Sequence, residues 1–318
     1  MGEIGKSIPT TMRAVRLHRA GGTEELTLDR VDTPVPGSGE VLVRVHAAAI
    51  TRDELDWPTD RLPAIPSYEY SGEVVALGAY AGDWGPGDEV FTLCGFDRDG
   101  GAADFTRVPA NLLASKPRSI NHAHSAAIPL SGLSAWQGLF DHGKLERGQR
   151  VLIHGAAGGV GHFATQLARW CGAYVIGSSS PGNFEMVRAF GADEVIDYRS
   201  NFEDGIKDVD LVFDTVGGDA LEQSPKGVRA GGRIVSVAEE PRAVPPERKI
   251  VSVYFVVEPR REQLVELARL VDAGDLRPVV DSVFPLPEAR IAFERSLTPG
   301  KHGKVVLRVV DDEAAGEG

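Results

Sequence analysis

Apolar and polar residues alternate with period two through much of the first third of the chain. Residues 40–45 (EVLVRV), 71–77 (SGEVVAL) and 88–93 (DEVFTL) are rich in valine and alternate, which predicts strands with one buried face. Clusters at Pro36-Gly37-Ser38-Gly39 and Gly85-Pro86-Gly87-Asp88 read as turns between them. Many short strands punctuated in this way predict a barrel-like β domain. The pattern changes near residue 120. Residues 125–140 have helical character, broken internally at Pro129 and Gly132. From Arg150 onward, strand-length apolar runs (151–154, 174–177, 211–214, 233–237 and 250–257) alternate with helical stretches at 159–171 and 183–190. That alternation predicts a parallel sheet with helices on both faces. The segment 250–257 (IVSVYFVV) is expected to be its last strand, and a long one. Residues 261–272 predict an amphipathic helix, apolar at Leu264, Leu267, Ala268 and Val271. The run 303–309 (GKVVLRV) returns to β character and is expected to rejoin the first domain.

A chain of 318 residues is too long for one small core and suits two domains. Its 42% hydrophobic and 25% charged content is that of a globular protein. It has no run of eighteen apolar residues, so no transmembrane helix is expected, and the N-terminus lacks the apolar core of a secretory signal, so a cytoplasmic location is expected. The first dozen residues and the acidic tail from Asp311 to Gly318 are expected to fray. Two cysteines, Cys94 and Cys171, exclude a disulfide framework and a four-cysteine zinc lobe. A net charge of −12 disfavours nucleic acid as a partner but leaves room for one phosphate-bearing cofactor.

The chemistry enters at VLIHGAAGGVG, residues 151–161. A glycine-rich turn follows a strand and opens a helix. Gly155 permits a tight turn, Gly158 lets backbone approach a pyrophosphate, and Gly161 lets helix pack on strand. With Ala157, Gly159 and Val160 they place free N–H groups at a helix start, where phosphates bind. Nicotinamide sites that take NAD carry an acid after the next strand. Here that segment reads Gly177-Ser178-Ser179-Ser180-Pro181-Gly182-Asn183, without one. The serines and Asn183 can donate to a 2′-phosphate, so the expected cofactor is NADPH. A solvated serine loop is the alternative.

GAAGGVG, followed by Phe190-Gly191-Ala192-Asp193 and Val195-Ile196-Asp197-Tyr198, resembles the medium-chain dehydrogenase/reductase superfamily, and within it the zinc-independent quinone oxidoreductase branch. Supporting runs are Pro34-Val35-Pro36 with Gly39-Glu40-Val41-Leu42-Val43, Pro129 through Ser134 to Trp136, Phe213 to Gly218, and Gly303-Lys304-Val305-Val306-Leu307. The resemblance runs from about Arg13 to Val309. It implies an α/β fold: a Rossmann doubly wound parallel sheet plus a GroES-like β-barrel domain that holds the substrate side of a cleft. The expected boundaries are 1–120 for the GroES-like domain, 121–262 for the NADPH-binding domain and 263–318 for the return and tail. Further cofactor contacts are implied from Ser134, Val216, Val237, Ala238 and Phe255. Tyr198 matches a tyrosine that neighbours the 2′-phosphate, or is a half-buried aromatic at a strand end. Lys304 approaches the cofactor, or is a solvated strand residue. A homodimer joined along the edge strand at 250–257 is also expected, the alternative being that a helix covers this strand within one subunit.

Set against the zinc-dependent branch, the first ligand position falls on Thr51, the second on Tyr68 and the third near Leu130. Those side chains do not make a zinc site, so no catalytic metal is expected. Glu69 is expected to be a buried, hydrogen-bonded carboxylate, and His122 and His124 solvated surface residues. A metal-free reductase needs other donors where charge grows on the acceptor oxygen. Candidates are Thr51, Arg52 and Tyr68, with Trp57 as an apolar wall or a core residue. The chain departs from the quinone reductase pattern at Thr51, usually Asn, and at Ser67, often Gly. Three functions remain: hydride transfer from NADPH to a quinone, reduction of an enal or enone, or an NADPH-binding structural or sensory protein with little turnover.

Overall fold

The computed structural model describes residues 8–57, 60–199, 206–242 and 245–310; the acidic tail and the first seven residues lie outside the described residues. In chain order the strands are β1 (Thr11–Leu17), β2 (Leu26–Asp32), β3 (Glu40–Ile50), β4 (Glu69–Leu77), β5 (Glu89–Leu93), β6 (Phe105–Pro109), β7 (Ala114–Ser115), β8 (Arg150–His154), β9 (Tyr174–Ser179), β10 (Glu194–Asp197), β11 (Val209–Asp214), β12 (Val228–Ser236), β13 (Val251–Tyr254), β14 (Val280–Pro285) and β15 (Lys304–Arg308). The helices are α1 (His122–Ala126), α2 (Pro129–Trp136), α3 (Gly161–Cys171), α4 (Phe184–Ala189), α5 (Gly218–Gly227), α6 (Arg261–Asp272) and α7 (Ala289–Leu297). Two compact units result. One comprises residues up to Pro129, Pro259–Ala268 and from Val280 onward; the other comprises Leu130–Glu258 and Arg269–Val279.

In the first unit, β3 is the spine. It pairs antiparallel with β4, β6 and β15, within a sheet ordered β14-β15-β3-β4-β5-β7. Register then dictates proximity. Ile50 lies opposite Val305 and Ala49 opposite Glu69, so the residues just beyond, Thr51 and Lys304, fall side by side.

The second unit holds a six-stranded sheet, β10-β9-β8-β11-β12-β13, parallel throughout. Both faces of such a sheet are covered, which is why its strands read as continuous apolar runs. One row crosses four strands in register, Ile176–Leu152–Val212–Ile234, and all four side chains are fully buried. The strand order reverses at β8: β9 and β10 lie on one side, β11 to β13 on the other. The carboxyl edge beside β8 and β11 is therefore the topological switch point, where ligands of open α/β sheets bind.

Three local expectations change. The segment 250–257 gives a strand of only four residues. Among the described residues it is the outer strand of its sheet, and beyond Tyr254 only the Phe255 amide still bonds β12, at the Ser236 carbonyl (3.2 Å); Phe255 and Val257 turn inward while Val256 points out. The helical stretch is interrupted before Pro129, which opens α2 where its missing N–H costs nothing, but Gly132 sits inside α2 without breaking it. Strand β9 runs two residues further than its apolar pattern, so Ser178 and Ser179 are buried strand residues and not a solvated loop.

Gly161 is fixed by the turn it closes. A Cβ there would lie 2.0 Å from the Gly155 carbonyl oxygen, whereas one at Gly182 would meet nothing. Gly161→Ala is expected to cost about 1–3 kcal/mol by overpacking, read as a lower urea midpoint, with Gly182→Ala unchanged. Equal midpoints for the two variants would refute this packing argument.

Candidate functional site

The glycine turn lies at the switch point. Gly155 has φ +70°, in the left-handed region glycine tolerates. A Cβ on Gly158 would meet only the Gly155 carbonyl, at 3.2 Å, so the space beside it is open to a ligand. Gly159 and Val160 are half-buried and Ala157 is nearly buried. These features fit a bound pyrophosphate.

The neighbouring strand ends are braced by one buried carboxylate. Asp214, the last residue of β11, accepts from the amides of Val216 (3.3 Å) and Gly217 (3.0 Å) and from the Ser236 hydroxyl at 2.8 Å. The Ser236 oxygen in turn accepts from the Ala238 amide at 3.1 Å. Val216 and Ala238 are thus presented at one edge, with Val237 half-buried between. The motif reading missed this bracket, although a buried acid at a strand end followed by Thr-Val-Gly was its visible signal.

The serines divide in role. Ser178 Oγ is 3.1 Å from Nδ1 of buried His154, whose Nε2 is 3.1 Å from Ser224 Oγ. Burial pushes the His154 pKa down to about 4. Ser179 ends β9; its hydroxyl donates to the Ser180 carbonyl at 3.2 Å, and Asn183 donates to Ser180 Oγ at 3.2 Å. The Tyr198 amide donates to the Ser179 carbonyl at 3.3 Å, which puts Tyr198 at the same edge. It is 61% exposed, more than the half-buried alternative allows, because β10 ends just before it at the sheet margin. Arg199, overlooked in the sequence, sits beside its ring (5.6 Å) and pairs with Asp197. Ser134 is buried on α2, and buried Phe255 stacks on His142 at 4.4 Å.

In the first unit, Lys304 is neither solvated nor idle. Its Nζ lies 2.6 Å from Glu69 Oε1 and donates to Thr51 Oγ1 at 2.9 Å. Lys304 is 5% exposed and Glu69 fully buried, while Thr51 is half-buried. Glu54, also fully buried, accepts from the Ser67 amide at 3.2 Å. Burial raises its pKa to about 8, against the pull of Lys304. Arg52, Asp53 and Asp56 are exposed. Tyr68 is fully buried and its hydroxyl accepts from Arg61 at 2.8 Å; burial raises its pKa. Trp57 packs at ring distances of 5.6 Å from Tyr68 and 4.9 Å from Phe96.

Histidine 122 corrects the surface expectation. Its ring stacks on His46 at 4.2 Å and bonds Ser71 (2.8 Å) and Glu89 (3.1 Å), because α1 packs on β3 and β4. His124 is half-buried and bonded to Asn121. Among the described residues, no group of three or more His, Cys, Asp or Glu is placed to hold a metal ion. None of the described helices is long and apolar enough to cross a membrane.

Residues 37–118 match the family described as alcohol dehydrogenase GroES-like domain, and residues 190–307 match zinc-binding dehydrogenase. A probable zinc-binding mitochondrial oxidoreductase of Arthroderma benhamiae is 34% identical, over 96% of this chain and 98% of its own length. The chain belongs to the medium-chain dehydrogenase/reductase superfamily, in its quinone-oxidoreductase-like branch. An NADPH-dependent alkenal/one oxidoreductase of Arabidopsis thaliana is 33% identical over 95% of this chain and 80% of its own. The solved quinone oxidoreductase of Coxiella burnetii superimposes with a TM-score of 0.86 at 30% identity, covering 94% of this chain and all of that one. As a member of this superfamily the protein is an oxidoreductase that uses a nicotinamide cofactor on a small-molecule substrate, which removes the reading as a binding protein with little turnover.

Ser67 explains a departure noted in the sequence. Its φ is +66°, where family members often have glycine, and its buried hydroxyl has no hydrogen-bond partner. Ser67→Gly is expected to stabilise the protein by roughly 1–2 kcal/mol, the usual left-handed penalty, read in urea melts; destabilisation would refute the strain. Glu54 sets a pH dependence. Its folded pKa, about 8, lies above its ordinary 4.5, so the folded state holds the extra proton and stability falls as pH rises through that window. Glu54→Gln is expected to flatten this slope in urea midpoints measured from pH 5 to 9, and an unchanged slope would assign it to other groups.

Proposed function

We propose that the protein is an NADPH-dependent, zinc-independent reductase that transfers hydride to the carbonyl system of a quinone or an α,β-unsaturated aldehyde or ketone. When bound, the nicotinamide supplies the hydride. The chain would bind its pyrophosphate at Gly155 to Gly161 and its 2′-phosphate near Ser179, Ser180, Tyr198 and Arg199. An arginine near the ribose is what a 2′-phosphate calls for; Arg199, beside the Tyr198 ring, would have to leave Asp197 to meet it, and β9 ends without an acid.

The observation that carries the metal-free reading is the Lys304 ammonium against Thr51 and Glu69. A zinc ion at the superfamily's position would meet a fixed cation, a threonine and a buried tyrosine, a donor set that does not fit it. The zinc-binding description of the family therefore does not extend to these residues. Thr51 is the acceptor-facing donor in this reading, because Tyr68 is fully buried.

NADPH oxidation followed at its absorbance band with ortho-quinones, para-quinones, enals and enones, after dialysis against a chelator, tests this. Turnover with quinones or with enals and enones is expected, and the better class names the acceptor. No turnover with either, or loss on chelation, overturns it. In the same assay Ser179→Asp is expected to shift preference from NADPH toward NADH by tenfold or more, about 1.4 kcal/mol. Unchanged preference would remove the serine from the 2′-phosphate site.

A further inference from the structure

Lys304 matters through what it does to one hydroxyl. A threonine hydroxyl has one proton to give and two lone pairs to receive. At Thr51 the Lys304 ammonium already donates to the oxygen, at 2.9 Å. Thr51 therefore cannot turn its proton toward Lys304. Among the described residues no protein group accepts that proton, and the side chain is only half-buried. A hydroxyl that receives a charge-assisted bond is also a stronger donor on its other side.

We propose that Lys304 is a positioning residue for hydride transfer: held by Glu69, it fills a lone pair of Thr51 and so aims the Thr51 proton outward, at the acceptor oxygen on which charge develops. This rests on the hydride-transfer reading above. The acceptor takes two electrons with the hydride at carbon, and its oxygen takes a proton from water; Thr51 donates a hydrogen bond and keeps its proton. Glu69 is needed because a buried ammonium without a counter-charge is costly. Glu54 fits the same unit. Its pKa, raised to about 8 by burial, keeps it neutral at neutral pH.

The test is a double-mutant cycle between Thr51→Val and the paired change K304M/E69Q, which removes cation and anion together so that neither is left buried alone. In NADPH oxidation with the best acceptor, each is expected to lower kcat roughly a hundredfold, the loss typical of one oxyanion donor. The combined variant should be no worse than either, because both act through one hydroxyl. NADPH Kd by fluorescence should stay within about twofold. Losses that multiply to roughly ten-thousandfold overturn the proposal.

A wild-type protein that reduces no acceptor would sink the hydride-transfer reading instead, and a second measurement then decides this one. Bound para-nitrophenol reports an oxyanion donor without turnover, by its absorbance. Its pKa is expected to fall by about one unit on the wild-type protein, a tenfold preference for the phenolate, and to return to the free value in Thr51→Val and in K304M/E69Q. Identical values in all three proteins overturn the inference.

Discussion

A buried ammonium has to be held, and the way Lys304 is held organises the chemistry of the first unit. Removing one partner of such a pair costs on the order of 3–5 kcal/mol, so Glu69 and Lys304 fix each other. The pairing follows from the backbone: β15 returns antiparallel along β3 so that Lys304 emerges beside Thr51, and β4 opens with Glu69 on the other side of β3. Three strands thus converge on one hydroxyl.

The second unit solves a different problem with backbone. Its sheet is apolar on both faces, so polar function is confined to the carboxyl edge. At that edge the turn after β8 offers N–H groups and open space beside Gly158. The turns after β11 and β12 would be loose without the Asp214–Ser236 bracket, which satisfies five backbone or hydroxyl donors with two side chains. The acid that in NAD-specific sites stands after β9 is missing, and Arg199 beyond β10 is paired with Asp197.

Legibility in the sequence tracked the distance between partners. The glycine turn, β8 and α3 are local, and their pattern placed them. The doubly wound sheet and the GroES-like unit were legible because several separate runs agreed. Lys304 stayed undecided between solvent and cofactor because its partner Thr51 lies 253 residues away and no periodicity encodes a buried ion pair. His122 read as a surface residue for the same reason: its partners come from β3, β4 and the start of β5. The short β13 misled in the opposite direction. Its apolar run persists through Val257, but an edge strand needs a neighbour to continue, and pattern alone cannot supply one.

Two buried carboxylates around one cation would leave the cluster negative, which is the wrong sign beside a developing oxyanion. Burial resolves this by raising the pKa of Glu54 to about 8. Glu69 keeps the close contact with Lys304, whereas Glu54 accepts from the Ser67 amide and lacks a partner on its second oxygen. The carboxyl without the ion pair is the one that retains its proton. Ser67, in a left-handed conformation, donates that amide and so opposes the upward shift that burial imposes on Glu54. Were Glu54 ionised, the field at Thr51 would turn against negative charge on the acceptor. On the proposed mechanism, a neutral Glu54 favours the Lys304–Thr51 donor.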